Sequence, residues 1–222
     1  MSRVLAMIGV LAFGLGLFFI APPGAAEEKK DEKWTAIFNG EDLKGWKTHP
    51  EDKAKWEVKE GILIGTGPAG HLFSERGDYQ NFRYRVEAKI NDKGNSGQYF
   101  RAVYGKSFPK GYEAQINSTH SDKIRTGSLY PAFNPKLTDE EKEKILVFKQ
   151  LHQPDEWFTQ EVIAIGNHIV IKVNGKTTVD FVDKNNTYMK GHFALQQHDP
   201  GTVIQFRKIE VIELPAKENG DK

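Results

Sequence analysis

The stretch Phe82-Arg83-Tyr84-Arg85-Val86-Glu87-Ala88-Lys89-Ile90 alternates apolar and charged side chains without a break. Successive strand side chains point to opposite faces, so Phe82, Tyr84, Val86, Ala88 and Ile90 share one face and the four charges the other. The pattern predicts a half-buried antiparallel strand.

The rest of the chain repeats that signal with turn residues between. Trp56 to Ile64 reads as two strands joined through Glu60-Gly61, and Ser96 to Tyr104 and Gly111 to Ser118 continue the sheet. Gly166-Asn167 and Asn174-Gly175 are tight-turn signals flanked by Glu161 to Ile165, His168 to Val173 and Thr177 to Val182. Gly191 to His198 and Val203 to Leu214 are further strands. One interruption is expected, a short helix within Leu137 to Lys149, where Thr138 and Glu141 have capping-box spacing. About a dozen strands without βα alternation predict an all-β fold, an antiparallel β-sandwich of the jelly-roll kind with one concave face.

Gly65-Thr66-Gly67-Pro68-Ala69-Gly70 fits a dinucleotide-binding fingerprint. Such a site needs a helix directly after the glycines, and His71-Leu72-Phe73-Ser74-Glu75 is too short and broken for one, so a plain glycine loop is expected.

Arg3 followed by the apolar run Val4 to Ile20 and the small residues Gly24-Ala25-Ala26 reads as a secretory signal peptide, residues 1–26, with a retained membrane anchor as the competing reading. Cleavage leaves no stable membrane anchor and points to a periplasmic or secreted bacterial protein. Residues 27–33 read as a flexible leader, 34–214 as one domain and 215–222 as a charged tail. The absence of cysteine excludes disulfides and an N-terminal lipid on sulfur. Arg3 is the only charge in the removed segment, so 30 basic residues face 30 acidic ones, which argues against nucleic acid as a partner.

Three polar clusters sit inside this β pattern: Asn95-Ser96-Gly97 with Arg101, Gly111 to Gln115, and Thr126 to Tyr130. Glu113, Gln115 and Asn117 share a strand face, as do Gly97, Tyr99 and Arg101, and as do His192, Ala194, Gln196 and His198. If the strands of Glu113 and His198 are neighbours, Glu113, Gln115, Gln196, His198 and Arg101 converge, an arrangement suited to sugar hydroxyls or to acid/base catalysis. The other histidines, His49, His71, His120, His152 and His168, read as surface residues. No metal-ligand spacing is visible, although His198, Glu113 or Asp199 could meet around a metal in space. No G-x-S-x-G elbow occurs, and Glu113 has no second carboxylate placed as in ordinary glycosidases.

Ile37-Phe38-Asn39-Gly40-Glu41-Asp42-Leu43-Lys44-Gly45-Trp46, Trp56-Glu57-Val58 with Gly61-Ile62-Leu63, Tyr79-Gln80-Asn81-Phe82, the three polar clusters and Leu195-Gln196-Gln197-His198 resemble, in order, the 3-keto-disaccharide hydrolase family. The resemblance covers about Trp34 to Leu214. It implies a concanavalin A-like jelly roll and activity on 3-keto-glycosides, with Asn95, Ser96, Arg101, Glu113, Gln115, Tyr130, Gln196 and His198 lining the pocket. The chain departs from the family at Trp157-Phe158, where Trp-Asn is usual, and in the Leu137 to Lys149 helix.

A ketone at C3 acidifies the C2 proton, so one base can remove it and expel the C1 substituent. Water can then add back. Glu113 or His198 is the expected base, with the other protonating the leaving oxygen. Arg101 and Gln115 are expected to steady the enolate oxygen, work that a divalent metal ion could also do. The alternative is a non-catalytic carbohydrate-binding module on the same fold.

Overall fold

The computed structural model describes residues 33–215, so the expected signal peptide, nearly all of the leader and all but the first residue of the tail lie outside the described residues. The strands are β1 (Thr35–Ala36), β2 (Trp46–Thr48), β3 (Lys55–Lys59), β4 (Ile62–Thr66), β5 (Gly70–Ser74), β6 (Phe82–Ile90), β7 (Ser96–Ala102) and β8 (Tyr112–Ile116). After the helix α1 (Asp139–Ile145) come β9 (Phe158–Ile165), β10 (His168–Val173), β11 (Lys176–Val182), β12 (His192–Gln197) and β13 (Ile204–Glu213). They form two antiparallel sheets. The larger has the order β11-β10-β9-β6-β13-β4-β3, with β1 also on β13, and the smaller the order β2-β5-β12-β7-β8. No helix among the described residues is long and apolar enough to cross a membrane.

The alternating stretch is β6, near the middle of the larger sheet. Its apolar face is fully buried, and its charged face is covered only by side chains, through Arg83–Glu161, Arg85–Glu210 and Arg207–Glu87 ion pairs. The sheets meet through aromatic rings: Phe193 of β12 stacks between Tyr79 and Tyr84, at centroid distances of 4.0 and 3.9 Å. Truncating a ring as buried as Phe193 costs about 3–5 kcal/mol. A polar link crosses the same interface. Gln160 of β9 donates to Gln98 Oε1 (3.2 Å) and to the Ala114 carbonyl, and accepts from the Gly127 amide. These bonds make burying two amides tolerable and fix how the sheets sit on each other.

Turn chemistry follows the sequence. Glu60 and Gly61 both have positive φ (52° and 78°), as a tight hairpin between β3 and β4 requires. The glycine loop joins β4 to β5, and the strand after it leaves no helix N-terminus for a dinucleotide phosphate. α1 has the expected capping box, the Glu141 amide donating to Thr138 Oγ1 while Glu141 Oε2 accepts from the Thr138 amide. β2 and β5 were not legible as strands in the sequence, because both are short and β5 is buried on both faces and does not alternate.

Candidate functional site

The cavity of about 450 Å³ lies over the outer face of the five-stranded sheet. In β8 the residues Tyr112, Ala114 and Ile116 enter the core, leaving Glu113 and Gln115 on the outer face. In β7 Phe100 goes inward and Tyr99 outward, and in β12 Phe193 and Leu195 go inward and Gln196 outward. The strands of Glu113 and Gln196 are not neighbours as expected: β7 lies between them and contributes Tyr99 to the floor. Asn95, Glu113, Gln115, Tyr130, Gln196 and His198 all line the cavity, joined by Tyr99, Phe108, Lys110 and Tyr188.

Two expected lining residues do not reach it. Strict alternation puts Arg101 on the face of Tyr99, but β7 carries a bulge there. Ala194 of β12 pairs with Tyr99 and His192 with Ala102, so Phe100 and Arg101 together oppose Phe193. Arg101 takes φ +50° and turns into the protein, where it is fully buried. Its guanidinium donates to the Gln80 carbonyl (2.6 and 3.0 Å) and to the Tyr188 carbonyl (3.1 Å). It is a cross-brace for the segment that carries Tyr188, with no line to a ligand in the cavity. Ser96 faces inward as well and donates to the Gln196 carbonyl at 2.6 Å, tying β7 to β12. Asn117 also leaves the row. Its amide donates to Asp122 and Ile124 carbonyls and shapes the loop bearing His120 and Asp122.

Glu113 is 8% exposed and holds the centre of the site. Its Oε2 accepts from Tyr99 Oη at 2.8 Å, and Tyr99 Oη accepts from Gln196 Nε2 at 3.2 Å. The Gln115 amide satisfies its neighbours when its nitrogen faces Glu113 Oε1 (3.3 Å) and the Ser96 carbonyl (2.9 Å). Burial raises the Glu113 pKa, the Tyr99 hydrogen bond opposes this, and the charge of Asp122 adds to the rise. Burial wins, and the carboxyl is pushed up to about 8. Gly97 exists for this side chain: a Cβ there would lie 2.2 Å from Glu113 Oε1. The room that glycine provides is filled by the carboxylate itself.

His198 is oriented by its chain neighbour. The contact of His198 Nδ1 with Asp199 Oδ2 is 3.0 Å, and Asp199 also accepts from the Gly201 amide and Thr202 Oγ1. Burial disfavours the Asp199 carboxylate, but these hydrogen bonds outweigh it and hold the carboxyl below its usual range. With Nδ1–H on the carboxylate, the lone pair of His198 is on Nε2.

His120, His198 and Asp199 offer ligand atoms within 4.8 Å of one another, so a metal-binding triad is present by residue type. The hydrogen bond at His120 does not fit a cation on its Nε2, whereas His198 has the arrangement of a ligand. His120 Nδ1 accepts from the Asp122 amide at 3.1 Å, which puts the neutral ring's proton on Nε2, the nitrogen 3.9 Å from Asp199. A ligating imidazole has the opposite arrangement, a free nitrogen on the metal and an N–H on its other side.

His71, a surface residue by the sequence, is 1% exposed in the fold and paired with Gln196 across β5 and β12. Only the pairing of those strands could have revealed it.

The matched family model is the 3-keto-alpha-glucoside-1,2-lyase-like domain, over residues 33–212. The chain belongs to that family. Among curated protein sequences nothing matches it. A solved structure of a presumed glycosyl hydrolase from Parabacteroides distasonis is similar at 22% identity and TM-score 0.63, covering 86% of this chain and 98% of that one. The carbohydrate-binding module CBM66 from Bacillus subtilis is similar at 16% identity and TM-score 0.52, covering 74% and 93%. The exoplasmic/lumenal domain of VIP36, solved with Ca²⁺ and Man3GlcNAc, is similar at 12% identity and TM-score 0.57, covering 86% and 92%. At these identities the likeness is one of fold, the concanavalin A-like sandwich.

Proposed function

We propose that the protein is an exported enzyme that cleaves 3-keto-glycosides by removing the C2 proton and expelling the C1 substituent. The observation that carries the reading is Glu113, a carboxyl buried in a sugar-sized cavity, with its pKa pushed up to about 8, facing the same space as the His198–Asp199 pair. A pure sugar binder gains nothing from a buried ionisable group of this kind.

The two groups divide the work that the sequence left open. At neutral pH Glu113 is protonated, so it is the acid, and His198, with Nε2 free, is the base. His198 takes the C2 proton, and the electrons of that C–H bond form the enolate with the C3 carbonyl. The enolate then reforms the ketone, the new double bond joins C1 to C2, and the C1–O bond breaks with its electron pair leaving on oxygen. Glu113 gives that oxygen its proton. Water adding across C1 and C2 completes a net hydrolysis, and release before addition makes the enzyme a lyase. Asn95 and Lys110, both lining the cavity, replace Arg101 as donors for the enolate oxygen. No step is routed through a metal.

The test is aglycone release from a 3-keto-glucoside and from its unoxidised parent, with and without EDTA, alongside Glu113→Gln. Release from the keto compound alone, insensitive to EDTA and lost in the variant, is the expected result. Binding of both sugars without release moves the protein to the carbohydrate-binding reading. Loss of release with EDTA, restored by a divalent ion, makes His120, His198 and Asp199 a metal site after all.

A further inference from the structure

The placement of base and acid gives the cavity a direction. Ala194 of β12, Tyr99 of β7 and Glu113 of β8 lie in one row across the sheet. His198 follows β12 and is displaced from that row toward the C-terminal ends of β12 and β8, whereas Tyr112 lies one residue the other way. The path from the C2 proton to the C1 oxygen therefore crosses the sheet from His198 to Glu113 and points past β8 on the side of Tyr112. The outer side of β8 is taken by the chain entering the turn Pro131–Phe133: Leu129 bridges Ala114, and the Tyr130 amide donates to the Glu113 carbonyl at 2.8 Å. A group attached through the C1 oxygen continues over this segment.

The wall there is aromatic. Tyr130, Ala132, Phe133 and Tyr188 line the cavity, and Phe133 and Tyr188 both pack on the Tyr112 ring, at centroid distances of 5.1 and 5.3 Å. The Tyr130 hydroxyl already donates to Asp122 at 3.2 Å. A second sugar would bring several hydroxyls to a wall with few partners for them, and a hydroxyl buried without a partner weakens binding. A flat aromatic ring needs none and gains from contact with other rings.

The mounting of Tyr188 is a separate observation. Its carbonyl accepts from Arg101 Nη1 at 3.1 Å, and its amide donates to Tyr112 Oη at 3.3 Å. Tyr112 Oη donates in turn to Asp183, which is 1% exposed and also accepts the Asn185 and Thr187 amides. A buried guanidinium and a buried carboxylate are costly to maintain. Here both converge on the segment that presents one cavity-lining ring, and a ring fixed in advance loses little freedom when a ligand packs on it.

We propose that the Tyr188 end of the cavity seats the group leaving from C1 and that this group is a flat aromatic ring, so that the substrates are aryl 3-keto-glycosides. The inference rests on the reading above, with His198 as base and Glu113 as acid, and deepens it by naming the aglycone class.

Equilibrium binding decides this without requiring turnover and without the influence of leaving-group reactivity. In the Glu113→Gln protein, calorimetry compares phenyl 3-keto-glucoside, methyl 3-keto-glucoside and a 3-keto-disaccharide. The phenyl glycoside is expected to bind about tenfold more tightly than either of the others. Tyr188→Ala removes most of that advantage and changes the methyl glycoside by less than about twofold, whereas Tyr188→Phe keeps the advantage, since the face of the ring and not its hydroxyl makes the contact. Ala132 is exposed on the cavity wall, so Ala132→Trp fills the same end from the surface, removes the advantage and spares the methyl glycoside. Equal affinity for phenyl and methyl glycosides overturns the proposal, as does a disaccharide binding as tightly as the phenyl glycoside. A Tyr188→Ala protein that weakens phenyl and methyl glycosides alike also overturns it, because Tyr188 would then stack on the keto sugar itself. So does an Ala132→Trp protein that melts normally and keeps the advantage. If the phenyl preference holds while the wild-type protein releases no phenol, the aryl site stands and the catalytic reading falls; binding of none of the three overturns both.

Discussion

Replacing Tyr99 with Phe removes one hydroxyl from the floor of the cavity, and its consequence separates the two roles open to Glu113. Tyr99 Oη donates to Glu113 Oε2 at 2.8 Å and so favours the ionised carboxylate. A hydrogen bond to a charged group contributes about 1.5–3 kcal/mol. At about 1.4 kcal/mol per pH unit, its loss raises the Glu113 pKa by roughly 1–2 units. The starting point is about 8, because burial already outweighs that bond. If protonated Glu113 is the acid, the alkaline limb of the kcat profile moves up by that amount, and the rate at pH 7 stays within about tenfold, since the acid is already in its working form. If ionised Glu113 were the base, the same change would lower the rate at pH 7 by about 10–100-fold. Steady-state aglycone release between pH 5 and 10 distinguishes these outcomes. An alkaline limb that stays put or moves to lower pH refutes the assignment of Glu113 as a buried acid held by Tyr99.

The other predictions rest on separate contacts. Gly97→Ala places a Cβ 2.2 Å from Glu113 Oε1, so the carboxyl must leave its position; kcat falls at least about 100-fold while circular dichroism shows the fold retained. The folded-state pKa of Glu113 lies above its ordinary value of 4.5, so folding takes up a proton between that pH and about 8, and the stability tied to Glu113 is lost as pH rises through this window. Glu113→Gln escapes that loss, and its gain in Tm over the wild type is larger at pH 8 than at pH 5; an equal gain at both would show that Glu113 ionises freely. Arg101→Met removes the donors that a fully buried side chain supplies to the Gln80 and Tyr188 carbonyls and lowers stability by about 2–4 kcal/mol in urea unfolding. Unchanged stability would mean that the brace on the Tyr188 segment carries no weight.

Arg101 shows where reading a sequence stops. Period-two alternation correctly sorted Glu113 and Gln115 from Tyr112, Ala114 and Ile116, and Gln196 from Phe193 and Leu195, because those stretches are regular strands in which burial of one face fixes the other. The same rule failed at Arg101, where one extra residue in β7 turned the guanidinium inward. A bulge is set by the partner strand, and nothing in Tyr99-Phe100-Arg101-Ala102 announces it. Ser96 is a different case: alternation puts it opposite Gly97 and Tyr99, where it is found bonded to the Gln196 carbonyl, and only the family resemblance placed it in the pocket.

By itself the sequence determined the β-sandwich, the capping-box helix, the plain glycine loop at Gly65 to Gly70 and the family, since these depend on local periodicity, turn residues and ordered motifs. It also nominated Glu113, Gln115, Gln196 and His198. Tertiary structure decided what those residues can do. Only the packed sheets could bury Glu113 against Tyr99 and lift its pKa, and bring His71 beside Phe108. Desolvation and hydrogen-bond geometry belong to contacts between strands far apart in the chain, and those arise only when the sheets close on each other.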